Sequence, residues 1–365
     1  NVARVTQATA EWLLKNDKSK KVVIGHDCRF AGDLFAETAA KVMLKNGIQV
    51  FLAKGFVSTP MVSLGAKELD CGVGIIITAS HNPPSYNGFK LKGGYGGPLL
   101  PDDIQEVESY IPEQNEIDLK AIDIGKFEQS GDLEYYDLEK LYIQKVEENF
   151  DLEAMRNSKF NFAYDAMYGS GQAVMKKLFP NIDHLHCEHN PTFHGISPEP
   201  IHRNLQEFSN YMQKAGNIHC GLATDGDADR IGLYDSKGNF VDSHHILLLL
   251  IHYLYHYKNW RGKVCTGFSS SVKINRLCEH YGLDLDVVPI GFKHICGIML
   301  KEDVLVGGEE SGGIAVKGHI PERDGIWNGM LVWEFMVKTG KTLEELIQEV
   351  YDIVGEFAFE RADLQ

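Results

Sequence analysis

Apolar and polar positions follow two rhythms that take turns along this chain. Short unbroken apolar runs predict buried strands at residues 21–25 (KVVIG), 48–53 and 72–78 (GVGIIIT). Between them the apolar spacing is helical. Residues 1–15 read as an amphipathic helix carrying Trp12, Leu13 and Leu14; Phe35, Ala39, Val42 and Met43 share one face of a second helix, which Gly47 ends. Thr59-Pro60 reads as an N-cap with proline at the first helical position. Residues 113–134 are acidic, polar and poorly periodic, and 135–150 is helix-like. A new start follows at 160–165 (FNFAYD), then a strand at 219–224, a hairpin turn at 236–239 (SKGN) and a helix at 243–257. Beyond a linker at 259–262 (NWRG), strands at 263–267, 285–288 and 304–306 alternate with helices at 272–281 and after Asp324 and Thr342.

This alternation predicts an α/β protein of three consecutive mixed-sheet α/β/α modules, spanning 1–154, 155–259 and 260–365, each burying its own core, with a site in the cleft between them. A chain of 365 residues is long enough for that. No internal repeat strong enough to prove duplication is visible.

Composition narrows the function. Lys and Arg number 36 against 51 Asp and Glu, a net charge of −15, which argues against nucleic acid as a partner while leaving room for a small anion held locally. No run of about 18 apolar residues is present, so no membrane span is expected. The seven Cys are scattered without a CxxC pair, and the first residues lack a signal-peptide pattern, which together predict a cytoplasmic setting. The chain opens at Asn1 as if in mid-domain.

Candidate chemistry sits in three loops, each directly after a predicted strand. The first runs Thr78-Ala79-Ser80-His81-Asn82-Pro83-Pro84 and on to Lys90. Small neighbours should leave the Ser80 hydroxyl exposed on a tight turn, suited to a nucleophile or phosphoryl carrier, with Lys90 as a proton donor and acceptor if it folds back. The esterase elbow G-x-S-x-G is absent. The second is Asp225-Gly226-Asp227-Ala228-Asp229-Arg230. Three carboxylates this close repel one another unless a cation sits among them, and oxygen-only ligands favour Mg²⁺ over zinc. An EF-hand needs Gly and Glu where this chain has Arg230 and Ser236. The third, Gly307-Gly308-Glu309-Glu310-Ser311-Gly312-Gly313, offers carboxylate and hydroxyl groups for sugar hydroxyls. Taken singly, each loop also reads as a polar or acidic solvated turn. His184, His186, Cys187, His189 and His194 crowd one region, but their spacing matches no standard zinc pattern. His252 and His256 lie four apart on one helix face.

In this order and spacing, TASHNPPSYNGFK, DGDADR and GEESGG resemble the phosphoserine, metal and sugar loops of the α-D-phosphohexomutase superfamily, in the phosphoglucomutase/phosphomannomutase branch. The sugar-loop variant ending in His, typical of phosphoglucosamine mutases and some bacterial phosphomannomutases, is absent; GHDCR at 25–29 and PIGFKHI at 289–295 also look family-like. The resemblance implies interconversion of hexose 1- and 6-phosphates of glucose or mannose, through phosphoserine and a hexose 1,6-bisphosphate. It implies Ser80, His81 and Lys90 as catalytic, and Asp225, Asp227, Asp229 and the phosphorylated Ser80 as ligands of Mg²⁺. It implies Glu309, Ser311, Lys293 and His294 against the sugar, and Arg29 and Arg230 as positive charge near the transferred group. Partners would be small hexose phosphates, and the protein a monomer or weak homo-oligomer.

Superfamily members also carry a fourth, C-terminal domain that grips the non-reacting phosphate, and the likeness finds no such domain before Gln365. Residues 1–365 alone are therefore expected to be weak or inactive as a mutase, because remote phosphate contacts help drive catalysis. Two further readings stay open: a Mg²⁺-dependent sugar phosphatase using the same loops, and a reduced, non-catalytic sugar-phosphate-binding protein.

Overall fold

A computed structural model describes residues 1–359. Its first sheet contains β1 (Lys21–His26), β2 (Gln49–Ala53), β3 (Val73–Ile77), β4 (Phe89–Gly93), β5 (Gly97–Pro98) and β6 (Leu133–Tyr136), in the spatial order β5-β4-β3-β1-β2-β6. The second contains β7 (Phe162–Asp165), β8 (Asp183–Leu185), β9 (Cys220–Thr224), β10 (Ile231–Tyr234) and β11 (Phe240–Val241), ordered β11-β10-β9-β7-β8. The third contains β12 (Lys263–Gly267), β13 (Leu285–Val288), β14 (Val304–Gly308) and β15 (Ile314–Val316), ordered β13-β12-β14-β15. Three α/β/α layers with mixed sheets result.

One device recurs in all three. A buried parallel strand (β3, β9 or β14) runs into a chemistry-bearing loop, and the next strand (β4, β10 or β15) returns antiparallel beside it. Each loop is thus a turn held at both ends by a ladder. The sequence reading found the outgoing strands but not β4 and β15, whose short Gly- and Lys-bearing segments carry little apolar signal.

Other departures are local. Ser58, not Thr59, caps the third helix (Thr59–Glu68) by accepting the Met61 N–H at 3.3 Å, which moves Pro60 one place inward. Tyr135 and Tyr136 belong to β6, which pairs parallel with β2, and the helix behind them starts only at Leu138, capped by Asp137. An edge strand with one buried residue in four has no clear period to read. The helix from Ser243 ends at His252, and Tyr253–Tyr257 continues as a π-helical turn.

The cores also differ from expectation. Each sheet buries an apolar cluster of its own on one side, but the largest cluster is common property: it runs from Val23 and Met61 through Leu222 and Leu233 to Val264 and Val306. The helix Gly325–Thr339, buried at every position from Gly325 to Met336, lies at its centre. Trp333 stacks on Phe162 at 4.4 Å, Trp327 meets Phe150 edge-on at 4.9 Å, and the Asp324 cap accepts the Tyr142 hydroxyl at 2.9 Å. Gly329 permits this approach, since a Cβ there would come within 2.4 Å of Leu222. All seven Cys are free and buried. No helix among the described residues is long and apolar enough to cross a membrane.

Candidate functional site

The three loops converge. Each carries a left-handed residue: Ser80 at φ 53°, Ala228 at φ 56° and Gly312 at φ 87°. For the two non-glycines this costs about 1 kcal/mol or more, strain that the flanking ladders sustain. Gly226 lets the first two loops touch, because a Cβ there would lie 2.6 Å from the Ser80 carbonyl oxygen.

Ser80 is only 6% exposed, not the open hydroxyl its small neighbours suggested, because the acidic loop packs on it. Its Oγ donates to Asp225 Oδ2 at 2.8 Å. Its N–H donates to Thr78 Oγ1 at 2.9 Å, and Thr78 donates in turn to Asp27 Oδ2 at 2.6 Å. Arg29 holds the loop's shape. Nη2 donates to the carbonyls of Ser80 and Asn82 at 2.7 and 2.6 Å, Nη1 to those of Pro83 and Tyr86 at 2.9 and 3.0 Å, and Nε to Asp27 at 3.2 Å. The expected positive charge thus lies beside Ser80, but these donors are spent on backbone carbonyls and on Asp27, so Arg29 ties the loop together and does not reach out to substrate.

Asp225, Asp227 and Asp229 are fully buried and offer carboxylate oxygens within 4.8 Å of one another. Asp225 Oδ1 accepts the N–H groups of Asp229 and Arg230 at 2.9 and 3.0 Å. Asp227 Oδ2 is held by Thr59 Oγ1 at 2.6 Å and Lys90 Nζ at 2.9 Å. Asp229 Oδ2 is held by Arg323 at 2.5 Å, with Lys90 at 3.8 Å. Oδ1 of Asp227 and Oδ1 of Asp229 are buried without a hydrogen-bond partner among the described residues. Buried acceptors are costly to leave bare, and two of them beside the Ser80 hydroxyl form an oxygen set that fits a hard divalent cation.

Electrostatics agree. Burial and the charges of Asp227 and Asp229 push the Asp225 carboxyl well up, whereas Asp227, despite burial, is held below the usual carboxylate range by Lys90 and Thr59. Burial lowers Lys90, but Asp227 and Asp229 outweigh it and keep the ammonium charged. The His81 imidazole is pushed down to about 4, first by burial and then by Arg230, so it is neutral at pH 7; its Nδ1 is buried without a partner.

At the third loop, Glu309 Oε1 accepts the Gly291 N–H at 2.8 Å, tying this loop to the 289–295 segment. That segment enters a helix, Phe292–Met299, which places Lys293 exposed and His294 half-buried on its first turn. Ser311 is half-buried. Arg230 bridges to Gly313, and its Nε lies 4.0 Å from Asp229 Oδ1. The histidine group forms no ligand cluster: His184 bonds the Phe179 carbonyl, His186 bonds Asp165, His189 stacks on Phe56 and His194 meets Tyr168 at a tilt. His252 and His256 stack on each other at 5.3 Å. Sequence reasoning missed Thr59 and Arg323, which reach the acidic loop from the first and third modules; nothing local in either segment points there.

Three family models match the chain: phosphoglucomutase/phosphomannomutase alpha/beta/alpha domain I over residues 1–118, domain II over 140–238 and domain III over 242–354. A phosphoglucosamine mutase of Carboxydothermus hydrogenoformans is 29% identical, over 95% of this chain and 77% of its own length. A phosphoglucomutase of Staphylococcus haemolyticus is 30% identical over 98% of this chain and 69% of its own. Among solved structures, an inferred phosphomannomutase from Thermus thermophilus superposes with a TM-score of 0.89 at 34% identity, covering 97% of this chain and 79% of that one.

Proposed function

Because the chain belongs to the α-D-phosphohexomutase superfamily, within its phosphoglucomutase/phosphomannomutase family, we propose that it interconverts the 1- and 6-phosphates of a hexose, glucose or mannose, through phosphorylated Ser80 and a hexose 1,6-bisphosphate. One observation carries this reading. The Ser80 hydroxyl lies 2.8 Å from Asp225, in the same loop cluster as two buried carboxylate oxygens that accept no hydrogen bond among the described residues.

Asp225, Asp227 and Asp229, with an oxygen of phosphorylated Ser80, would hold Mg²⁺. When bound, Mg²⁺ supplies neutralisation of the charge on the transferring phosphoryl group. Phosphoryl transfer otherwise asks for positioning, and this chain's residues provide it. The bond between phosphorus and Ser80 Oγ breaks as one forms to the sugar hydroxyl. Lys90, kept charged by its two aspartates, donates a proton to Oγ and takes up the sugar hydroxyl's proton in exchange, acting as general acid and base. The bisphosphate then turns over and returns its other phosphoryl group to Ser80. Arg29 keeps the Ser80 loop in shape, while Glu309, Ser311, Lys293 and His294 contact sugar hydroxyls. Seven free, buried Cys support a reducing, cytoplasmic setting.

The test gives the native protein Mg²⁺ and hexose 1-phosphate, primed with hexose 1,6-bisphosphate, and measures both hexose 6-phosphate and inorganic phosphate. Isomerised sugar in large excess, with one phosphoryl group gained on Ser80 by intact mass, is the expected result. Release of inorganic phosphate alone would make the protein a phosphatase and overturn the reading.

A further inference from the structure

The first and third modules meet at a buried charge pair that touches no proposed reacting atom. Lys92, on β4, is 2% exposed, and its Nζ lies 2.6 Å from Glu322 Oε2. Ser63 Oγ, on the helix Thr59–Glu68, donates to the same oxygen at 2.9 Å. Burying an ion pair returns little net stability, because desolvation offsets the attraction. The other end of Glu322 suggests what the pair does instead.

Glu322 Oε1 accepts the backbone N–H of Arg323 at 3.1 Å and lies 3.8 Å from Arg323 Nε. The Arg323 stem lies on Gly313, where a Cβ would come within 2.4 Å of its Cδ, and the guanidinium stands 5.6 Å from the centre of the Phe292 ring. So confined, Arg323 reaches Asp229 Oδ2 at 2.5 Å, leaving Oδ1 as the oxygen that accepts no hydrogen bond among the described residues. Asp227 is oriented directly by the first module, through Thr59 and Lys90. For Asp229, the first module's further hold passes through the third.

We propose that Lys92, Ser63 and Glu322 are positioning residues: together they form a relay that registers Arg323 on Asp229 and so aims the free Asp229 oxygen at the cation site. This rests on the reading of the three aspartates as a Mg²⁺ site. The relay links all three modules through a single chain of contacts: Lys92 and Ser63 from the first, Glu322 and Arg323 from the third, Asp229 from the second.

The test is calorimetric titration of Mg²⁺ alone into the native protein and four variants, with thermal melts alongside. Lys92→Met/Glu322→Gln removes both charges at similar volume, Arg323→Met removes the final link, and the triple variant combines them. Ser63→Ala is the mildest change and keeps the proposal testable if the double variant does not fold. Outer partners of metal ligands typically account for about 10- to 100-fold in affinity, so the double variant and Arg323→Met should each weaken Mg²⁺ binding by about 10-fold. The triple variant should match Arg323→Met within about 2-fold, because residues acting in series are not additive. Ser63→Ala should weaken binding in the same direction, by about 2- to 3-fold. Native-like Mg²⁺ affinity in the double variant or in Ser63→Ala, or multiplied losses in the triple, would overturn the relay while leaving the metal site intact. Absence of Mg²⁺ binding by the native protein would overturn the site reading and the relay with it.

Discussion

The two ends of the site are built differently. At the transfer end, Ser80 and the three aspartates are buried, and each aspartate has at least one oxygen fixed by a named donor. At the end proposed for the sugar, Glu309 is the one buried member of the four; Ser311 and His294 are half-buried and Lys293 is exposed. The contrast follows the proposed chemistry. Phosphoryl transfer is the same for every hexose and rewards groups locked in place beforehand, whereas epimers differ by a single hydroxyl, which an open rim with few fixed groups can accommodate or reject by small shifts.

That contrast can be broken from either side. Ser80→Ala should abolish transfer, by about a thousandfold or more in turnover, with the fold retained. Coupled assay for hexose 6-phosphate measures this, and residual turnover near the native rate would remove Ser80 from the carrier role. Lys90→Met should come next, slowing turnover by about 10²-fold while leaving KM within about 3-fold, since it acts on a proton in transit and not on sugar binding. At the other end, Glu309→Gln should raise KM by about 10-fold with turnover within about 3-fold; a larger fall in kcat than in affinity would mean that the sugar end is as tightly coupled to transfer as the metal end.

The smallest expected effect lies outside both ends. Asp165, at 2.8 Å, raises the His186 imidazole above its ordinary value of 6.5. A raised folded-state value contributes stability that is fully present below about 6.5 and is lost as pH climbs through the folded value. Native protein should therefore melt at lower temperature as pH rises above about 6.5, and His186→Gln should flatten that slope without changing turnover. A slope unaltered by the substitution would place the sensitivity elsewhere.

The transfer end was the more legible in sequence, for a physical reason. Three aspartates alternating within five residues repel one another strongly enough that few explanations besides a cation survive, and the buried strand before them fixes where they stand. Lys90 was also readable, since the β3–β4 ladder that returns it is local. What could not be read is what comes from far away in the chain. Thr59 sits 168 residues from Asp227 and Arg323 sits 94 from Asp229, so no local pattern pairs them. Arg29 was misjudged for a related reason: a charge near the reacting group looks the same in sequence whether its donors face substrate or backbone. The shape of Tyr135–Tyr136 was lost because an edge strand leaves no periodic trace.

The helix Gly325–Thr339 carries one more consequence. Its third-module sequence is the wedge around which the second module's sheet and the Leu138–Asn149 helix close. Pieces cut at the apparent module borders would each expose a raw apolar wound. The chain should therefore melt in a single cooperative step, and excised modules should clump when expressed singly.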